Sequence, residues 1–322
     1  MNIVEIKNLS RKFGDKTAVD NISFEVAEGE IFGFLGPNGA GKTTTISILC
    51  TLLEPTSGSA TISGYDVAKD RDNVRNSIGI VFQDPSLDGD LTAEENLRFH
   101  GMAYNVPKEI REKRIKDLLE MVDLHDKKDE LAKNYSGGMK RRLEIARGLL
   151  HHPKVLFLDE PTIGLDPQTR NRIWEHIIEL QKKKGITIFL TTHYMEEAEN
   201  CNRIAIIDHG RIIALDTPEN LKKSLKGDLI SLKTSNNEES KEVIRTCFSL
   251  RPEIKEDTIY LYAENGENFV PSLFRALRNH EITSVNIRKP TLNDVFLKLT
   301  GRQIREETMD VVGRMKEMHR GR

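Results

Sequence analysis

Short, nearly continuous apolar runs recur along the first two thirds of the chain, at residues 31–35, 78–82, 155–158, 186–190 and 204–207. Runs of this length without alternation are typical of strands that are buried on both faces. Amphipathic segments lie between many of them, so the pattern predicts an α/β fold with a mostly parallel sheet flanked by helices. Two earlier runs, 3–9 and 22–26, alternate more clearly and predict a small antiparallel layer beside that sheet.

The pattern changes to helical spacing between residues 87 and 151. Thr92 precedes Glu95 by three residues, which is the pattern of a capping box at a helix start. The segment KEIREKRIKDLLEMV is amphipathic. A later segment, GGMKRRLEIARGLL, has apolar side chains on one helical face: Met139, Leu143, Ala146 and Leu150. We therefore predict a helical subdomain inserted into the sheet domain.

Composition shifts again near Gly227, where a second domain is predicted. Residues 226–301 read as a small α+β domain of order β-α-β-β-α-β with a last helix, and TSNNEES within it reads as a polar loop. A charged tail, 302–322, is expected to be helical or disordered. The first domain then comprises residues 1–225, with its sheet core at 1–86 and 152–225.

Charge and cysteine content exclude several function classes. The net charge is −2, so there is no basic field for nucleic acid, and we expect no nucleic-acid partner. The three cysteines lack the paired spacing that is typical of a disulfide framework or a zinc cluster, which argues against both. No apolar run approaches the roughly 20 residues of a membrane helix, and the start MNIVEIKNLS has no signal-peptide core. We expect a protein that does not cross a bilayer by itself.

The strand at 31–35 leads directly into GPNGAGKTT, the phosphate-loop pattern in its expected setting between a strand and a helix. Glycines let backbone amides converge on phosphate oxygens, and the helix start attracts negative charge. Lys42 would contact the β- and γ-phosphates, and the Thr43 hydroxyl would bind Mg²⁺. An ordinary glycine-rich turn is the alternative. The phosphate-binding residues are expected to be Gly36, Pro37, Asn38, Gly39, Ala40, Gly41, Lys42, Thr43 and Thr44.

Polar side chains follow three other predicted strands, and the carboxyl ends of such strands share one edge of the sheet. We expect Asp159 to hold Mg²⁺ and Glu160 to orient and deprotonate the attacking water. Gln83 would reach the metal or that water, and His193 would contact the γ-phosphate. Taken singly, each residue has a structural alternative. Asp159 and Glu160 could be solvated turn residues, Gln83 a solvated loop residue, and His193 a structural histidine. Together they predict a site of nucleotide hydrolysis.

Two further features point to the nucleotide. Phe13 is a candidate to stack on adenine, with a partly buried core aromatic as the alternative. Ser136, Gly137 and Gly138 open a helix and could meet an anion there, although a plain helix cap would look the same. Because the chain already has one phosphate loop, a second site suits another molecule's nucleotide. Two chains facing head to tail would then enclose two ATP molecules.

These motifs, in this order, resemble the ATP-binding-cassette (ABC) ATPases over about residues 1–220. The resemblance includes the Q-loop Gln83, the signature YSGGM in place of LSGGQ, VLFLDEP, the D-loop GLDP and the H-loop His193. It implies that Phe13 stacks on the adenine and that Asp166 couples the two sites of a homodimer or heterodimer. It also implies a cytoplasmic position at the cell membrane beside a separate permease, docked on a groove lined by residues 84–100.

Within the family, the chain resembles the drug-exporter branch of daunorubicin-resistance type, including the late segment PTLNDVFLKLTGR. That segment implies assembly with the permease or the dimer; the alternative is an amphipathic helix, 292–299, packed on its own domain. The expected function is an ATPase subunit of an exporter. A non-transport ABC ATPase, in assembly or regulation, is the alternative, and a nucleotide switch without turnover is disfavoured by Glu160 and His193.

Overall fold

The structure is a computed structural model that describes residues 1–301, and the predicted tail at 302–322 lies outside them. The strands are β1 (Asn2–Phe13), β2 (Lys16–Ala27), β3 (Ile31–Leu35), β4 (Ser57–Ile62), β5 (Tyr65–Asp66), β6 (Ile78–Val81), β7 (Val155–Asp159), β8 (Thr187–Thr192), β9 (Arg203–Asp208), β10 (Arg211–Asp216), β11 (Asp228–Thr234), β12 (Glu253–Lys255), β13 (Thr258–Ala263) and β14 (Ile282–Arg288). The α-helices are α1 (Lys42–Leu49), α2 (Arg71–Ser77), α3 (Ala93–Ala103), α4 (Lys108–Met121), α5 (Gly137–Leu149), α6 (Pro167–Lys184), α7 (Met195–Ala198), α8 (Pro218–Lys223), α9 (Asn237–Phe248), α10 (Gly266–Ala276) and α11 (Leu292–Thr300).

The central sheet has the strand order β10-β9-β3-β8-β7-β6. Its pairs are parallel except for β10, which runs antiparallel to β9. Every residue of β3, β7 and β8 is buried, as expected for strands covered on both faces. The five apolar runs therefore do form this sheet, and the α/β prediction is confirmed.

The predicted antiparallel layer is a second sheet with the order β2-β1-β4-β5. Buried and more accessible residues alternate along much of β2, so one face packs inwards. Phe24 of β2 stacks on Phe32 of β3 with ring centroids 5.3 Å apart. Aromatic packing of this kind joins the two sheets into one core.

Helices α3, α4 and α5 form the helical region that the spacing predicts. Thr92 and Glu95 make the capping box: the Glu95 N–H donates to the Thr92 hydroxyl, and the Thr92 N–H donates to the Glu95 carboxylate. Leu143, Ala146 and Leu150 are buried in a core shared with the central sheet. The helices are therefore fastened to the sheet by common apolar packing.

The C-terminal region follows the predicted element order and forms a third sheet, β12-β13-β11-β14. The polar-loop prediction for TSNNEES is wrong in its second half, because α9 begins at Asn237. The Asn236 side chain accepts a hydrogen bond from the Glu239 N–H and caps that helix. Polar residues here begin a helix because they satisfy its free amides.

Helix α11 joins the two domains. Leu292, Val295 and Phe296 are buried in the same cluster as β3 of the central sheet, and the helix packs against α7 and α8. Asp294, on the same helix, forms a two-pronged ion pair with Arg288 of β14. The apolar face therefore packs on the first domain, in contrast to the alternative in which it packs on its own. Among residues 1–301, no helix is long and apolar enough to span a bilayer.

Candidate functional site

The loop between β3 and α1 brings its backbone into very close contact with the surrounding strands. Gly41 has φ +111°, and a Cβ there would lie 2.5 Å from the Ala18 carbonyl oxygen. A Cβ on Gly36 would lie 2.4 Å from the Ile207 carbonyl oxygen. Only glycine fits at these two positions, because one needs left-handed backbone and both lack room for a side chain.

Lys42, the first residue of α1, is 4% exposed despite its charge. Its ammonium group donates to the Gly36 carbonyl at 2.8 Å and to the Pro37 carbonyl at 3.2 Å. The same nitrogen lies 3.1 Å from a carboxylate oxygen of Glu160. A buried ammonium held this way is a fixed positive charge at the edge of the sheet, where phosphate oxygens could compete for it.

The carboxylates of Asp159 and Glu160 are also buried, at 2% and 7% exposed. Thr191 of β8, paired with Asp159 of β7, organises both residues. Its hydroxyl donates to Asp159 Oδ1 at 2.5 Å and accepts from the Glu160 N–H at 3.0 Å. One side chain on the neighbouring strand thus fixes the end of β7.

Glu160 lies at the centre of the cluster. Its second carboxylate oxygen is 3.2 Å from Nδ1 of His193. Its backbone has φ +46°, a left-handed conformation that is uncommon for a residue with a side chain. The chain therefore turns sharply after β7, and the turn aims this carboxylate at Lys42 and His193.

The two neighbouring carboxyl groups have opposite pKa shifts. Burial raises the pKa of Asp159, and the charge of Glu160 adds to that effect although hydrogen bonds from Thr191 and Thr43 oppose it. Burial also acts to raise the pKa of Glu160, but the adjacent His193 and Lys42 side chains outweigh it and the pKa is lowered. Glu160 is therefore ionised at neutral pH.

The remaining predicted residues of this edge are more exposed. Gln83 is exposed and follows β6, the end strand of the central sheet. Phe13 is 45% exposed at the end of β1, with the Arg11 guanidinium 4.6 Å from the centre of its ring. The structure thus brings Lys42, Asp159, Glu160 and His193 together and leaves Phe13 accessible on one face.

The second glycine-rich segment is a helix start at the surface. Ser136 caps α5, its hydroxyl accepting from the Met139 N–H at 3.3 Å, and both Ser136 and Gly137 are exposed. Gly138 is buried, and a Cβ there would lie 2.4 Å from Cγ2 of Thr169. Asp166 is exposed and caps α6 by accepting from the N–H and hydroxyl of Thr169. Thr169 therefore links the Gly138 and Asp166 segments.

Three buried charged residues beside the site gave no usable signal in the sequence. Arg141 and Glu144 lie on α5 at 6% and 1% exposed, and Arg141 bonds to the Glu160 and Pro161 carbonyls. Glu197 of α7 is 2% exposed and accepts hydrogen bonds from the hydroxyls of Thr192 and Thr162. Charged residues on amphipathic helices usually face water, so only the fold reveals these contacts.

Two family models match the chain. The model described as "ABC transporter" matches residues 19–163. The model described as "ATP-binding protein DrrA1-3-like, C-terminal domain" matches residues 217–300. The two matches cover the central-sheet domain in part and nearly all of the third sheet with α11.

Several relatives align over almost their whole length. The chain is 40% identical to the linearmycin resistance ATP-binding protein LnrL of Bacillus subtilis, over 94% of this chain and 100% of that protein. It is 39% identical to the daunorubicin resistance ATP-binding protein DrrA2 of Streptomyces coeruleorubidus, over 92% of this chain and 95% of that protein. It is 38% identical to the Nod factor export ATP-binding protein I of Ralstonia nicotianae, over 94% of this chain and 95% of that protein.

Solved structures of ABC ATP-binding subunits are also similar to this chain. One, described as the ATP-binding subunit of an ABC transporter, has a TM-score of 0.63 and 33% identity, and covers 69% of this chain and 92% of that one. Another is a dimeric post-hydrolysis state of the ATP-binding cassette MJ0796 bound to ADP and Pi, with a TM-score of 0.60 and 30% identity, covering 66% and 98%.

Proposed function

The chain belongs to the ABC transporter family, as the ATP-hydrolysing subunit of an exporter, and we propose that it turns over ATP as one half of a head-to-tail pair. The observation that supports this most directly is the helix start at Ser136. Its serine and first glycine are exposed to solvent. A second molecule, either another copy or a related ATPase, would receive these groups at its own nucleotide.

Within each half, we assign the phosphates to the loop of residues 36–44. Lys42 would exchange its carbonyl and Glu160 contacts for phosphate oxygens. Glu160 would accept a proton from the attacking water, with His193 and Gln83 beside it. Phe13 would stack on the adenine, and Asp166 would face the partner. The contacts of Glu160 with Lys42 and His193 support the central assignments, and the others rest on the order of the motifs.

We also propose that Mg²⁺ accompanies the nucleotide. The Asp159 carboxylate and the neighbouring Thr43 hydroxyl would offer the hard oxygen ligands that this ion prefers, and Gln83 would add an amide oxygen directly or through water. When bound, the ion would neutralise phosphate charge. Residues that hold Asp159 in place, above all Thr191, would keep its oxygen at the required position.

The membrane partner is proposed to dock on residues 84–100 and to hold the chain at the cytoplasmic face of the membrane. Phe99 and Met102 of α3, one helical turn apart, are 68% and 56% exposed, so two large apolar side chains are accessible beside this segment. We assign residues 1–225 to the ATPase domain, with the helical subdomain at 87–151, and residues 226–301 to the accessory domain. Cargo differs among relatives of similar identity, which suits selection by the permease.

The decisive test is ATP-dependent association of the Glu160→Gln variant. Glutamine keeps the shape of the side chain but cannot accept the proton, so ATP persists and the paired state accumulates. We expect a monomer without nucleotide and a dimer at saturating Mg·ATP, measured by sedimentation velocity. A strict monomer under those conditions contradicts the proposal.

Two added substitutions provide the matched control. Ser136→Arg in the Glu160→Gln background should abolish the dimer while leaving ATP affinity per subunit unchanged. Ser284→Arg changes an exposed serine of β14 in the other domain and should leave the dimer intact. Equal loss in both variants would mean that added charge, rather than the helix start, prevents pairing.

A further inference from the structure

Arg141, in the second turn of α5, holds backbone of the hydrolytic site. Its Nε donates to the Pro161 carbonyl at 2.6 Å, and its Nη2 donates to the Glu160 carbonyl at 3.0 Å. Its Nη1 donates to the carbonyl of Phe82, the residue before Gln83. One buried guanidinium group therefore joins the segment that follows β7 to the segment that follows β6.

Glu144 balances this charge and holds the same second segment. Its carboxylate lies 3.2 Å from Nη1 of Arg141 and accepts from the Ser86 N–H at 2.7 Å. Arg147, one turn further, donates to the Ser86 carbonyl at 2.6 Å. Three charged side chains of α5 thus fasten residues 82–86 to the helix that begins at Ser136.

The contact with Glu160 acts on an unusual piece of backbone. Glu160 is left-handed, with φ +46°. Its N–H is bonded to the Thr191 hydroxyl and its carbonyl to Arg141, so both peptide groups of the turn are held. A conformation that is intrinsically unfavourable persists only where its surroundings fix it. The Glu160 carbonyl also accepts from the Ile163 N–H at 3.3 Å, so Arg141 supplies one of the three bonds that do so.

We propose that Arg141 is a positioning residue that connects the Ser136 helix start to Glu160 and Gln83 of the same subunit. Arg141 lies five positions after Ser136, a rise of about 7–8 Å along one helix. A contact made by Ser136 with the neighbouring subunit's nucleotide would reorient α5 and, through Arg141, the carboxylate of its own site. This inference rests on the proposed head-to-tail pair and adds a route by which one site senses the other.

The guanidinium fork suits this role because it is planar and donates in several fixed directions at once. A lysine would keep the charge beside Glu144 but could not bond three carbonyls in this geometry. Neutralising both residues of a buried pair avoids leaving one charge uncompensated, which would itself unfold the region. These two changes therefore separate positioning from simple stability.

The experiment compares Arg141→Lys and the double variant Arg141→Gln/Glu144→Gln with the parent protein. We expect ATP affinity of the isolated subunit and KM to stay close to the parent values. We expect kcat to fall about 10- to 100-fold, as small misplacements of catalytic groups do. Cooperativity in ATP, measured as the Hill coefficient, should fall towards one. Arg142→Gln is the matched control, because Arg142 bonds to the Val122 and Asp123 carbonyls.

Each outcome has a defined meaning. The double change placed in the Glu160→Gln background should still give the ATP-dependent dimer, since pairing needs Ser136 rather than Arg141. Parent-like kcat and cooperativity in both variants would overturn the inference, as would a loss of kcat in proportion to the folded fraction measured by circular dichroism. Absence of a dimer in Glu160→Gln alone would instead overturn the proposed function.

Discussion

The two glycine-rich helix starts of this chain have similar chemistry and opposite surroundings. The start of α1 is embedded: Gly36 and Gly41 touch neighbouring carbonyls, and Lys42 is buried against Glu160. The start of α5 faces outwards, with Ser136 and Gly137 exposed and only Gly138 packed, against Thr169. The difference shows that the first start is built into the packing of its own chain, whereas the second presents its serine and first glycine at the surface.

The largest expected effect concerns the embedded start. Gly41→Ala should weaken ATP binding to the isolated subunit by about 100-fold, because strain of a few kcal/mol at φ +111° adds to the close contact with the Ala18 carbonyl. Titration calorimetry would measure it. Gly185→Ala is the matched control, since Gly185 also has positive φ, +61°, but has nothing within 4 Å of an added Cβ. Unchanged affinity in Gly41→Ala would remove the distinction between the two starts.

A smaller and different effect is expected at the exposed start. Gly138→Ala should leave the ATP affinity of the isolated subunit unchanged but lower kcat about tenfold, because the added Cβ displaces Thr169 and with it the outward helix end. Steady-state kinetics at a protein concentration that permits pairing would measure the loss. A fall in affinity like that of Gly41→Ala would contradict the comparison.

Thr169→Ser offers a rescue of that variant. Serine removes the Cγ2 atom that lies 2.4 Å from the added Cβ, and keeps the hydroxyl that bonds to Asp166. The double variant Gly138→Ala/Thr169→Ser should therefore recover much of the lost kcat. No recovery would show that the loss has a cause other than this contact.

The last expected effect is on stability and leaves nucleotide binding at neutral pH unchanged. Burial lowers the pKa of His100 to about 4, helped by the charges of Arg147 and His151, whereas the unfolded value is near 6.5. The unfolded state then binds more protons below pH 6.5, so the free energy of unfolding falls as the pH drops from 6.5 to 4. The full change is about 3 kcal/mol for this group.

His100 lies on α3 in the region that also bears the exposed start, beside Tyr104 and His151. Urea unfolding at pH 7, 5.5 and 4 measures the free energy of unfolding. This free energy should therefore fall more steeply with decreasing pH in the parent protein than in His100→Gln. If the free energy of unfolding fell equally with pH in the two proteins, burial would not lower the pKa of His100.

Much of the architecture is readable from residue patterns because burial on both faces leaves continuous apolar runs, as in β3 and β8. The capping box at Thr92 is equally local. The start of α9 was missed because TSNNEES was judged by polarity, although Asn236 three residues before Glu239 is a helix-start pattern. The packing of α11 on the first domain depends on contacts with α7 and α8, which lie far from it in the sequence, and no local pattern encodes them.

Some residues of the candidate site can likewise be predicted from the sequence, and others are revealed only by the fold. Its phosphate loop and strand-end residues follow from motif spacing and from the rule that strand ends share an edge. The bonds of Arg141 and the left-handed turn at Glu160 follow from three-dimensional proximity, because KRR on a helix reads as a solvated run. The parts that position the reacting groups were thus harder to foresee than the groups themselves.

The burial of α11 has a consequence for how the chain is made. Leu292, Val295 and Phe296 complete an apolar cluster whose earliest members, Ile31 and Leu35, leave the ribosome some 260 residues sooner. Until synthesis reaches these last residues, that surface is bare and open to chaperones and proteases. Copies that ended before α11 would therefore carry the ATP-binding motif and leave the apolar surface under this helix uncovered.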